Sequence, residues 1–176
     1  MTDKPRSMPG KGAIPAALLA ALTGPLAYSM LERWEGNIKS VYADQLAGGL
    51  PTWCAGQTQG PRPGPVGTRL SDDYCREVNK ATLLEYGYAV LGCTNWDYIT
   101  ADRLVALTIF AVNVGKAGAC GSQAVQAINA GRVQEGCNLI ATRPDGRPNW
   151  SSAGGKYIPG LQARRQAERA LCLGAT

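Results

Sequence analysis

The hydrophobic and polar positions divide the chain into three regimes. From Gly12 to Leu31 the sequence GAIPAALLAALTGPLAYSML carries no charge, and Lys4, Arg6 and Lys11 precede it. At helical rise, 20 such residues reach about 30 Å, the hydrocarbon thickness of a bilayer. The stretch is nevertheless weakly apolar: mostly Ala, with Thr23 and Ser29 as polar members and Gly24-Pro25 in the middle. Between residues 37 and 56 the pattern shortens to brief apolar runs (Ile38, Val41-Tyr42, Thr52-Trp53-Cys54) around Gly48-Gly49, which predicts a small hairpin. The segment GQTQGPRPGPVG, 56–67, is too rich in Gly and Pro for regular structure and reads as a loop between lobes.

From Ser71 onward the period becomes helical. Ser71 with Asp72 and Asp73 marks a helix start, and Tyr74, Val78, Ala81 and Tyr88 trace one face of that helix. Thr100 opens a second helix containing LVALTIFAV, apolar nearly all round and therefore suited to the middle of a bundle. Ser122 starts a third, stopped by Gly131, and a fourth covers about 132–141. The last runs from Pro159-Gly160 towards Cys172, with Arg164 and Arg165 four and three residues before Glu168, a spacing expected to give a solvated ion pair. There is no internal repeat. The predicted fold is α+β: a mainly helical lobe with a small β-hairpin lobe.

Composition narrows the chemistry. A chain of 176 residues, 45% hydrophobic, suits one ordinary domain with a real core. The net charge of +5 favours an anionic partner. No Lys/Arg run interleaved with aromatics marks a nucleic-acid surface, so nucleic acid is not expected. The absence of histidine removes Ser-His-Asp and Cys-His catalysis and most zinc sites. No metal or cofactor is expected, and hydrolysis would fall to carboxylates. Six cysteines at 54, 75, 93, 120, 137 and 172, with no CxxC pair, suit a disulfide framework in an exported protein; fifteen pairings are possible.

The N-terminal segment admits four readings. It could be a cleaved signal peptide, with Ala27-x-Ser29 as the cleavage site, or a permanent anchor with the basic flank cytoplasmic. It could be a soluble core element broken at Gly24-Pro25, or a segment that inserts for export and leaves the membrane uncleaved.

Glycosidic cleavage needs a protonated carboxyl to protonate the leaving oxygen and an ionised carboxylate to handle water, each in its own environment. Glu35, at a helix end beside Trp34, and Asp44, in the polar hairpin, could face each other across a cleft. Their context carries a resemblance. The string WEGNIKSVYADQLAGGLPTWCAGQT places Glu35-Gly36, then Asp44 after eight intervening residues, then Thr52-Trp53-Cys54-Ala55-Gly56-Gln57-Thr58. Further on come FAVNVGKAGACGSQAVQAINAG (110–131) and PGLQARRQAERALC (159–172). In this order the motifs resemble phage lysozymes of glycoside hydrolase family 24 over about residues 32–173.

The resemblance implies a lysozyme-like fold and hydrolysis of the β-1,4 bond between N-acetylmuramic acid and N-acetylglucosamine in peptidoglycan. Glu35 would be the general acid, Asp44 the base that activates water, and Thr52 a hydroxyl that helps hold that water; no further substrate-binding residue is assigned. The interval from Asp44 to Thr52 is two residues longer than the family's, because Gly48-Gly49 expand the hairpin, and strict spacing would fall on Leu50. The family's His is Gln57 here.

Residues 1–31 resemble the signal-anchor-release segment of lambdoid-phage endolysins, which favours the fourth N-terminal reading. The catalytic domain would then be 32–176, exported across the host inner membrane, tethered through 12–31, then periplasmic and monomeric. Because Glu35 follows the tether so closely, membrane pinning would displace it from Asp44. A lytic transglycosylase and a non-catalytic cell-wall-binding protein are the alternatives.

Overall fold

The computed structural model describes residues 13–45 and 48–175. The basic flank Lys4, Arg6 and Lys11 lies outside the described residues, as does Gly12. Pro25 sets the shape of the N-terminal segment. It has no N–H to donate and its ring excludes a continuous helix, while the preceding residue is driven to extended backbone. Helix α1 (Ala16–Leu22) therefore stops, Gly24 turns extended at φ −82° and ψ 166°, and α2 (Pro25–Glu35) restarts with Pro25 in its first turn. Leu18, Leu22, Ala27, Met30 and Leu31 are buried in the main core. Among the described residues no helix is long and apolar enough to cross a membrane. The boundary expected after residue 31 falls within α2.

The hairpin forms as expected. Strands β1 (Ile38–Asp44) and β2 (Leu50–Cys54) pair antiparallel, with Asp44 opposite Leu50 and Tyr42 opposite Thr52. Gly48 and Gly49 adopt φ of 68° and 84°, a left-handed turn that glycine makes without steric cost. The Gly/Pro-rich connection then returns along β1. The Val41 N–H donates to the Thr68 carbonyl (2.9 Å) and the Leu70 N–H to that of Lys39 (3.0 Å), covering an edge otherwise left unpaired. A separate small core of Val41, Trp53, Cys54 and Cys75 fills the hairpin lobe.

The helical lobe comprises α3 (Asp72–Cys93), α4 (Ala101–Val114), α5 (Lys116–Cys120), α6 (Gln123–Asn129), α7 (Val133–Ala141) and α8 (Pro159–Cys172). Ser71, Thr100 and Ser122 each cap a helix, their hydroxyls accepting from the backbone N–H of Tyr74 (3.1 Å), Arg103 (3.2 Å) and Val125 (3.2 Å). Helix α4 is buried continuously from Leu104 to Ala111 and packs against α1, α3, α5 and α8, the central position its apolar pattern predicts.

Two expectations are corrected. The buried stripe of α3 is Cys75, Asn79, Leu83, Gly87, Val90 and Leu91, whereas Tyr74 and Tyr88 are exposed. Hydropathy does not count an amide or a glycine as core, yet each has a partner. Asn79 Oδ1 accepts from the Ala55 N–H (3.3 Å), and a Cβ on Gly87 would lie 2.4 Å from Leu22 Cδ2. Glycine at 87 is thus what lets α1 seat on α3. Second, Arg164, Arg165 and Glu168 are buried rather than solvated. A further hairpin, β3 (Ser152–Ala153) with β4 (Lys156–Tyr157), turns through Gly154-Gly155, both with positive φ.

The six cysteines pair in sequence order as Cys54–Cys75, Cys93–Cys120 and Cys137–Cys172. The first ties the hairpin lobe to α3 and the third ties α8 to α7. Chain-entropy arithmetic for loops of these lengths gives about 3–4 kcal/mol for each bridge.

Candidate active site

Glu35 is the last residue of α2, and Gly36 ends the helix there at φ 76° and ψ −178°, a conformation essentially restricted to glycine. The Gly36 N–H donates to the Glu32 carbonyl (2.9 Å) and the chain leaves directly into β1. This termination aims the carboxylate at α8. Glu35 Oε1 lies 2.7 Å from Arg164 Nη1, with the Glu35 side chain 23% exposed and Arg164 only 4%. The N–H is not aligned on the oxygen, so the contact is Coulombic rather than a directional hydrogen bond. The second oxygen faces the hairpin lobe: a Cβ on Gly56 would stand 3.7 Å from Glu35 Oε2.

Arg164 is fixed on three sides. Its Nη2 donates to the Ile109 carbonyl of α4 (3.0 Å), its Nε donates to Glu168 Oε1 (3.0 Å), and Nη1 faces Glu35. Arg165 donates through Nη2 to the same Glu168 oxygen (2.8 Å), and its guanidinium covers the Phe110 ring 5.0 Å from the centroid. Two guanidinium cations and two carboxyl groups thus form one cluster. Burial pushes Glu168 up to about 7, against the opposing pull of Arg165 and Arg164. Burial likewise pushes Arg165 down.

Asp44 is the last residue of β1, and its carbonyl accepts from the Gly49 N–H (2.7 Å) to close the hairpin turn. Cross-strand partners share a face, so Asp44, Tyr42 and Thr52 belong to the same side of the hairpin. The Tyr42 phenol titrates above its ordinary value. Its pKa is raised first by burial, then by the negative charge of Asp44 and then by that of Glu35. Both carboxyls therefore lie within electrostatic range of one hydroxyl. Thr52 is buried, and its hydroxyl donates to the Leu50 carbonyl (3.0 Å). Gln57 bonds locally, its Oε1 accepting from the Thr58 N–H (3.2 Å). Among the described residues no group of three His, Cys, Asp or Glu could hold a metal.

Sequence reasoning named Glu35, Asp44 and Thr52 but missed two residues. Tyr42 gave no signal beyond its place in a strand. Arg164 was read only against Glu168; its contact with Glu35 joins residues far apart in the chain, which no local spacing announces.

The family model described as "Phage lysozyme" matches residues 32–168. A relative named SAR-endolysin, from Pseudomonas phage phiKMV, is 31% identical over 162 residues, covering 90% of this chain and 89% of that one. Among solved structures, a P22 lysozyme variant superposes with a TM-score of 0.72 at 23% identity, covering 85% of this chain and 97% of that one. The active form of the P1 phage endolysin Lyz superposes with a TM-score of 0.68 at 20% identity, covering 93% and 97%. Both structural likenesses establish the lysozyme-like fold.

The buried cluster generates a pH prediction. A carboxyl at about 7 when folded, and at its ordinary value when unfolded, binds a proton in the native state that the unfolded chain has lost. Its stabilising contribution is present below the ordinary carboxylate range and disappears as pH rises through about 7. Urea midpoints measured from pH 4 to 8 should therefore show wild type losing stability relative to Glu168→Gln as pH rises. Parallel profiles would contradict this.

Proposed function

The chain belongs to the phage lysozyme family and is an endolysin of muramidase type; on that premise we propose that Glu35 and Asp44 together cut the β-1,4 bond between N-acetylmuramic acid and N-acetylglucosamine. The observation that carries this reading is the contact of Glu35 with Arg164 of α8, which leaves its second oxygen towards Gly56 of the hairpin lobe that bears Asp44. Glu35 gives its proton to the departing glycosidic oxygen. Asp44, ionised, takes a proton from the water that attacks the anomeric carbon. Inversion of that carbon requires a carboxyl separation of about 6.5–9.5 Å, wide enough to admit the water. Thr52, whose own proton is given to the Leu50 carbonyl, retains lone pairs to accept a hydrogen bond from that water.

The same reading extends to control. The chain is exported across the host inner membrane, tethered through residues 12–31 and later released as a periplasmic monomer. That the phiKMV relative is named a SAR-endolysin supports this, as does the docking of α1 and α2 into the core. Glu35 and the apolar residues Ala27, Met30 and Leu31 share one helix, so a lipid-held α2 cannot also present Glu35 to Arg164. Release lets Leu22 seat against Gly87 and brings the carboxylate to its partner.

Lytic transglycosylation would dispense with a water-directing acid, and a purely binding protein would need neither acid. In a turbidity-clearing assay, Glu35→Gln and Asp44→Asn are each expected to lower the rate by about two to four orders of magnitude, the usual contribution of one acid or base. Full clearing by either variant removes that residue from the mechanism. Replacing 12–31 with a strongly apolar Leu-rich span should leave a membrane-locked, inactive enzyme; full activity in the locked protein would exclude control by docking.

A further inference from the structure

Trp150 is one of two non-glycine residues with positive φ among those described, at 52°. That conformation costs an L-residue roughly 1–3 kcal/mol and persists only where surrounding structure imposes it. Here the imposition is explicit. The Asn149 N–H donates to the Ala141 carbonyl (3.0 Å), the Asn149 side chain donates to that of Leu139 (2.7 Å), and Asn149 Oδ1 accepts from the Trp150 N–H (3.1 Å). On the far side the Ile158 N–H donates to the Ser151 carbonyl (2.8 Å). Both flanks of the residue are thus tied down, one to the end of α7 and the other to the start of α8.

All this order serves an indole that is not buried. Trp150 remains 37% exposed, although a core role would hide it. One part of the ring system packs edge-to-face on Phe110, with centroids 5.6 Å apart at 80°. Its Cη2 rests over Gly118, where an added Cβ would be 3.8 Å away. The indole N–H has no hydrogen-bond partner among the described residues. Tyr157 of the small hairpin and Ile158, which precedes α8, are exposed as well.

The position connects this surface to the site. Phe110 lies against Trp150 on one side and under the Arg165 guanidinium on another. Its neighbour Ile109 offers its carbonyl to Arg164, which contacts Glu35. Phe110 and Ile109 of α4 and Arg164 of α8 thus separate the indole from Glu35. A rigid, strained, half-exposed aromatic on a glycan-cleaving protein, one layer of buried side chains from Glu35 and with no partner for its N–H among the described residues, has the character of a carbohydrate platform. The C–H face of a pyranose packs on the ring, and the N–H is free to meet a hydroxyl or N-acetyl oxygen.

We propose that Trp150 is a stacking platform for an N-acetylated sugar ring of the glycan strand, set apart from the scissile bond; the inference rests on the muramidase reading above. Its contribution is to binding that is equal in ground and transition states, which moves KM and leaves kcat.

The test compares Trp150→Phe and Trp150→Leu in the full chain acting on solubilised peptidoglycan. Leucine keeps apolar volume against Phe110 and Gly118 but has no ring face. It should raise KM about three- to tenfold with kcat little changed, while phenylalanine stays near wild type. An unchanged KM in the leucine variant, or an equal rise in both variants, overturns the platform. A second readout needs neither hydrolysis nor the leucine variant to fold. In the Glu35→Gln background, a β-1,4-linked N-acetylglucosamine oligomer should change tryptophan fluorescence, and Trp150→Phe should make that change smaller. A change of equal size without Trp150, or none in its presence, also overturns it. Failure of the muramidase reading would show separately, as a wild type that does not cleave peptidoglycan.

Discussion

One guanidinium organises the cleft. Arg164 is almost wholly buried, and its three faces are given to the α4 backbone, to Glu168 and to Glu35. A cation in that position is costly to desolvate and tolerable only while its partners are in place, so removing one partner of a buried pair typically costs about 3–5 kcal/mol. Much of the remaining architecture positions those partners. The Cys137–Cys172 bridge holds α8 to α7, Arg165 shares Glu168 and lies over Phe110, and the apolar length of α4 supplies the floor.

Glu35 reaches Arg164 from the opposite direction, along a helix whose buried residues belong to the N-terminal segment. The break at Gly24-Pro25 turns what could have been one span into two short helices that fit the core, and Gly87 provides the notch for Leu22. The position of the carboxyl is therefore coupled to the docking of α1 and α2. Asp44 is set independently, by the hairpin register and the Gly48-Gly49 turn, with Cys54–Cys75 and Asn79 fastening that lobe to α3.

Much of this was legible in local sequence because local physics decided it. Ser71, Thr100 and Ser122 announce helix starts through a hydroxyl that caps the next turn. Pro25 cannot continue a helix but can begin one, so α1 ends before it and α2 starts on it, and Gly48-Gly49 marks a hairpin. What was not legible depends on residues distant in the chain. The solvated reading of Arg164, Arg165 and Glu168 failed because spacing shows that charges can meet, and only the fold shows that helix α4 and Phe110 cover them. The expected face of α3 differs from the buried one because Asn79 and Gly87 are core residues by virtue of their partners and not their hydropathy. The disulfide pairing could not be read at all, nor could the left-handed Trp150, since bonds from Ala141, Leu139 and Ile158 impose it.

The central claim is that Glu35 and Arg164 are energetically coupled, and a double-mutant cycle on unfolding free energy measures that coupling. Glu35→Gln, Arg164→Met and the double variant should deviate from additivity by about 1–3 kcal/mol, the double variant losing less than the two single losses summed. Additivity to within about 0.5 kcal/mol would mean the two residues do not hold each other, and the account of how this carboxyl is positioned would be wrong.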